Sequence, residues 1–171
     1  MAKTYRSKPT ASRNRSCVAT GRSIVRVRRT HPAAQSPTRM TPGSAGFDLY
    51  AAESVEVPPS RCVQDGNVEI GRALVPTGIQ LELPAGTVGR IGSRSGMSVN
   101  FNIEVGAGWI DSDYRGPLMV ELKNLSSVPF RVNGGDRIAQ LVVLPLASVD
   151  ISLVSDLVDT ERGASGFGST G

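Results

Sequence analysis

Residues 101–122 read FNIEVGAGWIDSDYRGPLMVEL, two alternating runs (101–105 and 118–122) around a segment with glycine at 106, 108 and 116. A period of two marks a half-buried strand. Glycine permits a positive φ or a close backbone approach, so the stretch reads as two strands joined by a tight hairpin. Asp111 and Asp113 are two apart and would face the same way on an extended chain, with Tyr114 beside them. Asp, Gly and Ser also fill ordinary turns, so the rest of the chain must decide between a plain turn and a site.

Working outward, the strand signature recurs at 24–28, 54–57, 73–75, 79–83, 87–91, 128–132, 138–144 and 149–154. Pro58-Pro59, Asp65-Gly66-Asn67, Pro84-Ala85-Gly86 and Asn133-Gly134-Gly135 punctuate these runs. Short strands with turn signals at such intervals predict an all-β sandwich, barrel or jelly roll. A helical turn is expected only at 95–99, and residues 61–72 leave room for an extra hairpin. Pairs such as Leu81/Leu83 and Val142/Leu144 are expected to face inward. Aromatic residues make up 5%, so the core should be mainly aliphatic.

The 171 residues suit one domain with a sizeable core. No apolar run approaches the roughly 18 residues of a spanning helix, so a soluble protein without a membrane partner is expected. Cys17 and Cys62 match no disulfide framework or metal spacing, which fits a reducing compartment, and a lone His31 disfavours a His-based zinc site or a Ser/His/Asp triad. The net charge of +4 hides a division. Up to Phe47 there are ten Lys/Arg and no acid, whereas from Asp48 onward nine Lys/Arg face fifteen Asp/Glu, a balance of −6. Residues 1–23 therefore read as a basic disordered leader, 24–161 as the β domain, and 162–171 as a flexible tail. Three roles stay open for the leader: a solvated tail, a nuclear-localisation or nucleic-acid-contacting arm, and a transit-peptide-like segment. The expected location is intracellular, cytoplasmic or nuclear, with organelle targeting left open.

Four further clusters carry chemistry. Residues 44–51 lead small residues into a strand bearing Asp48. In 89–97, Arg94, Ser95 and Gly96 stand at a predicted helix start, where N–H groups, a guanidinium fork and a hydroxyl suit a phosphate. In 135–140, Asp136 and Arg137 form an ion-pairable couple ahead of Gln140. In 162–171, a glycine-rich tail carries Arg162, Phe167, Ser169 and Thr170, a ring and polar groups that could fold over a nucleotide.

In this order the clusters resemble one family closely, the homotrimeric dUTP pyrophosphatases (dUTPases). Its five motifs appear as A-G-F-D-L, G-R-x-x-x-R-S-G, G-x-I-D-x-D-Y-x-G, G-D-R-I-A-Q and R-G-x-x-G-F-G-S-T-G, over residues 23–171. The resemblance implies a distorted jelly-roll (β-clip) subunit in a trimer whose sites take motifs from all three chains. It implies Mg²⁺-dependent hydrolysis of dUTP to dUMP and pyrophosphate, limiting uracil in DNA and supplying dUMP for dTTP synthesis.

By the same resemblance Asp111 is the catalytic carboxylate, holding and deprotonating the water that attacks the α-phosphorus. An aspartate of ordinary pKa, about 3.9, is a weak base whose main contribution is positioning. Arg94, Ser95, Gly96 and Gln140 match phosphate-contacting positions, joined by Arg162, Ser169 and Thr170 from the tail. The backbone of Gly106, Gly108, Trp109 and Ile110 would read uracil, Tyr114 would pack on deoxyribose, and Phe167 would stack on the base. Asp48 would reach the triphosphate-held Mg²⁺ through water, Asp113 supports the turn, and Asp136 would orient Arg94 or its surroundings. Trp109, Ser93 and Asn100 depart from the residues usual at their places.

Three rivals are weighed. A dCTP deaminase shares this fold but not the complete stacking tail or the Ile-Asp-x-Asp-Tyr segment. A binding or signalling protein that has lost catalysis would not need Asp111, Arg94, Tyr114 and Phe167 intact. A nucleic-acid-binding module is disfavoured by the acidic domain and kept open only by the leader.

Overall fold

Period-two patterning produces strands almost throughout, as a computed structural model describing residues 23–164 shows. In chain order these are β1 (Arg26–Arg29), β2 (Phe47–Tyr50), β3 (Val55–Val57), β4 (Arg61–Cys62), β5 (Val68–Glu69), β6 (Gly71–Pro76), β7 (Ile79–Glu82) and β8 (Thr87–Gly92). The helix α1 (Ser95–Phe101) follows, then β9 (Ile103–Val105), β10 (Trp109–Ile110), β11 (Met119–Asn124), β12 (Phe130–Val132) and β13 (Arg137–Pro145). Two sheets dominate, one of order β10-β8-β13-β2 and one of order β6-β11-β9, with the pairs β1-β7, β12-β3 and β4-β5 around them. Every paired strand is antiparallel. The fold is all-β and jelly-roll-like.

The core is aliphatic. Leu49, Val75, Ile79, Ile91, Ile103, Val120, Leu122, Ile138 and Leu141 are all at most 1% exposed, and no aromatic side chain is buried among the described residues. The polar exceptions are Thr77, whose hydroxyl donates to the Leu118 carbonyl at 2.6 Å, and Asn124, whose amide donates to the Val57 and Val128 carbonyls while its oxygen accepts from Ser126. Asn124 joins β11 to β3 without leaving an unpaired polar atom.

Three expectations need correction. Val142 and Leu144 do not face the core. Counting by twos from the buried Ile138 would turn them inward, but a bulge between Arg137 and Ala139 shifts the parity. Ala139 and Leu141 are buried instead, with Leu141 opposite Ile91 and Val143 opposite Gly89. Residues 149–154 form no strand; Val149, Ile151 and Leu153 are 77%, 101% and 100% exposed. A strand needs a ladder partner, and no edge of its own subunit supplies one. Phe101 ends α1 rather than starting a strand, because Asn102 takes the left-handed conformation (φ 55°) and its N–H closes onto the Met97 and Ser98 carbonyls. The extra hairpin does form: β4 and β5 pair across a 3₁₀ turn, Gln64–Gly66, with Arg61 Nε donating to Glu69 at 2.8 Å.

Candidate active site

Strand β8 organises the site, because chemistry-bearing residues leave its two ends. At the far end, the register aligns Asp48, Gln140 and Gly92 on one rung across β2, β13 and β8, and two residues beyond Gly92 comes Arg94. Asp48 sits between two guanidinium groups, accepting from Arg94 Nε at 3.3 Å and from Arg137 Nη1 at 3.1 Å. Arg94 also donates to the Arg137 carbonyl at 3.1 Å. Gln140 Nε2 donates to the Ser93 carbonyl at 3.0 Å, so the amide fixes the chain entering α1. Ser95 and Gly96 lie exposed in the first turn of that helix. A pocket lined by Arg94, Asp136, Arg137, Met97 and Phe130 opens beside the cluster.

Arg137 was not foreseen as a site residue. The sequence couples it to Asp136, but Asp136 lies in the turn before β13 and bonds Asn133, whereas Arg137 opens the strand and reaches Asp48. Asp136 in turn does not pair with Arg94. Its carboxylate accepts from the Asn133 backbone and side chain at 2.8 and 3.3 Å, closing the turn that delivers Arg137, and Asp48 is the carboxylate that orients Arg94.

At the other end the two flanking strands pair as expected, β9 with β11, but their connection is no tight turn. Within it β10 pairs with β8 in the other sheet, so residues 106–116 leave one layer, visit the second and return. None of the three glycines there has a positive φ. All three serve close approach: a Cβ on Gly106 would lie 2.1 Å from Glu121 Oε2, one on Gly108 2.2 Å from Arg90 Nη1, and one on Gly116 2.3 Å from the Tyr114 hydroxyl. Gly108 accepts from the Ile91 N–H at 2.7 Å, while the Gly106 and Ala107 N–H groups are held by Glu121.

After Ile110 the chain turns at Ser112 and Asp113, with the Tyr114 N–H donating to the Asp111 carbonyl at 3.2 Å. Alternate-face reasoning therefore does not apply to Asp111 and Asp113. Both carboxylates are exposed, Tyr114 is 44% exposed with its hydroxyl on the Pro117 carbonyl, and Arg115 braces the turn through the Ser112 and Tyr114 carbonyls. Trp109 is 64% exposed, with the Arg90 guanidinium 5.0 Å from its ring centre.

These two groups do not meet within one subunit. Ile110 stands opposite Gly89, and β10 runs antiparallel to β8, so Asp111 continues toward Val88 while Arg94 continues past Gly92. The Val88 and Gly92 rungs are about 13 Å apart at roughly 3.3 Å per residue, and Arg94 lies further still. Arg162 stands beside a turn in which the Gly163 N–H donates to the Thr160 carbonyl at 3.0 Å. Phe167, Ser169 and Thr170 lie outside the described residues.

Sequence reasoning also missed Glu104. Ser93, and secondarily Ser98, donates to its carboxylate and holds it below the usual carboxylate range, against an opposing effect of burial.

An aliphatic all-β domain with two arginines gathered on one carboxylate at one end and an exposed acidic turn at the other offers groups suited to a phosphate ester. The dUTPase family model matches residues 33–171. The deoxyuridine 5'-triphosphate nucleotidohydrolase of Fowl adenovirus A serotype 1 is 46% identical over 143 residues, covering 84% of this chain and 75% of the viral one. Among solved structures, a Staphylococcus bacteriophage 80alpha dUTPase variant with dUpNHpp superposes with a TM-score of 0.76 at 27% identity, over 86% of this chain and 98% of that one. A dUTPase from phage phi11 of S. aureus, whose structure shows the coordination of a structural Mg(II) ion, does so with 0.68 at 25%, over 78% and 97%. The chain belongs to the dUTPase family.

Proposed function

We propose that the chain hydrolyses dUTP to dUMP and pyrophosphate in sites shared between subunits of a homotrimer. The observation that carries this reading is the divergence of Asp111 and Arg94 toward opposite ends of β8, which leaves each subunit with two half-sites. A closed threefold arrangement brings one half of each kind together at every interface. The bare apolar side chains of 149–158, including Leu157 at 83% and Val158 at 93% exposure, support an assembly that covers them.

In the shared site, Arg94, Ser95, Gly96 and Gln140 receive the phosphates. Asp111 from a neighbour orients a water in line with the α–β bridging oxygen. The water oxygen bonds to the α-phosphorus, the bond to the bridging oxygen breaks, and the water's proton passes to the carboxylate, leaving dUMP and pyrophosphate. Base reading falls to those backbone groups of 106–110 that are not already held by β8 and Glu121, with Tyr114 against the sugar. Arg162, Phe167, Ser169 and Thr170 close over the nucleotide and exclude water.

The residues fit an Mg²⁺ carried by the triphosphate. Each Asp48 oxygen keeps acceptor capacity for a water beside its arginine bond. When bound, the ion would neutralise phosphate charge, while Asp48 would hold its water shell and the guanidinium groups together.

The test is pyrophosphate release from dUTP, dTTP, dCTP and UTP, with and without Mg²⁺. Release from dUTP alone, abolished by chelation, is expected; release without base preference, or consumption of dCTP, overturns the reading. In the same assay a chain ending at residue 161 should keep its fold and lose about 10²-fold in turnover, the scale of a misplaced closing element.

A further inference from the structure

We propose that Glu104 is a positioning residue for the phosphate-binding turn: one carboxylate grips the chain on both sides of Arg94 and Ser95. This deepens the dUTPase reading and rests on it. Glu104 projects from β9, in the three-stranded sheet, whereas Ser93 follows the end of β8 in the four-stranded one. Ser93 Oγ donates to Glu104 Oε2 at 2.5 Å, and Ser98 Oγ donates to Oε1. Ser93 Oγ also accepts the Val105 N–H at 2.9 Å, and its carbonyl accepts from Gln140 at 3.0 Å. Ser93 is thus held from β9, by side chain and backbone, and from β13. Ser98 is held one helical turn later, and the residues assigned to phosphate lie between the two anchors.

Of the two serines that share this carboxylate, one precedes α1 and the other lies inside it. Bonding both fixes where α1 begins relative to the Asp48–Gln140–Gly92 rung, and Val105 carries the same restraint to the edge of 106–116. Opposite Glu104 on β11 stands Lys123, the cationic side chain facing it across the sheet. A turn that drifts by about 1 Å loses on the order of 10²-fold in the chemistry it positions.

The experiment measures binding of dUpNHpp by calorimetry and of deoxyuridine by NMR titration, for the wild-type chain, Glu104→Ala, Glu104→Asp and Ser93→Ala, with thermal midpoints for each. Glu104→Ala should weaken dUpNHpp about tenfold or more while deoxyuridine changes less than about twofold, since the nucleoside lacks the phosphates that the turn receives. Glu104→Asp should recover most of the loss, Ser93→Ala should show the same phosphate-selective defect, and the two losses should not add. Equal weakening of both ligands, or a lowered midpoint with unchanged binding, would make Glu104 a structural anchor and overturn the proposal. Should Glu104→Ala fail to fold, Ser93→Ala decides alone. A wild-type chain that binds dUpNHpp without releasing pyrophosphate from dUTP would strike the proposed function and leave the clamp to stand or fall on the binding data.

Discussion

The two ends of β8 are built on opposite principles. At the Gly92 end each charged or amide group has a partner: Asp48 with two arginines, Gln140 with the Ser93 carbonyl, Glu104 with two serines. At the Gly89 end, Asp111, Asp113, Tyr114 and Trp109 stand exposed on a segment braced mainly through its own backbone. One end is a set of mutually satisfied polar groups. The other holds Asp111 outward, which under the proposed function carries it toward a neighbouring chain. Preorganisation of charge is useful where a polyanion must be received, and exposure is useful where a group must reach into a neighbour.

Substitutions at the two ends should therefore fail differently. Asp111→Asn should lower kcat by about 10²–10⁴-fold while dUpNHpp affinity stays within about threefold, because the amide keeps the shape and loses the base. Steady-state kinetics beside calorimetry checks this, and near-normal turnover would remove Asp111 from its role. Asp48→Asn should act on binding and stability. It leaves Arg94 and Arg137 facing each other, so affinity should fall about tenfold and the domain should lose about 1–2 kcal/mol in denaturant unfolding. An unchanged unfolding midpoint would mean that the two arginines do not depend on that carboxylate.

The smallest effect is the one on stability at Glu104. Its folded-state pKa lies below the ordinary 4.5, so its contribution is present above that value and fades as pH falls through the lower, folded one. The thermal midpoint of Glu104→Gln should lie about 2–4 °C below wild type at pH 7, the scale of roughly 1 kcal/mol in a domain of this size. The two midpoints should converge in acid. A gap that persists there would assign the difference to packing.

Much of this was legible in the chain because strand alternation and motif spacing are local. Leu81 and Leu83, the helical start after Arg94 and the 61–72 hairpin all came from neighbours in sequence. What escaped depended on partners far along the chain or outside it. Alternation marks 101–105 and 118–122 as extended, and β9 does pair with β11, but nothing local shows that the segment between them pairs with β8 in the other sheet, so an excursion between layers reads as a tight turn. The run 138–144, apolar except at Gln140, gives no parity until the bulge is known. Residues 149–154 have a strand's pattern without a ladder in their own subunit. Arg137 and Glu104 act through residues 89 and 11 positions away, respectively, and no local spacing announces that.

Mixed assemblies test the division most directly. Chains carrying Asp111→Asn and chains carrying Arg94→Ala, each inactive alone, are refolded together in equal amounts and assayed for pyrophosphate release from dUTP. If Asp111 and Arg94 enter each site from different subunits, random mixing gives an intact pair in about one quarter of sites, and activity should return to about that fraction of wild type. Mixtures as inactive as their components would place both residues in one chain's site and contradict the shared arrangement.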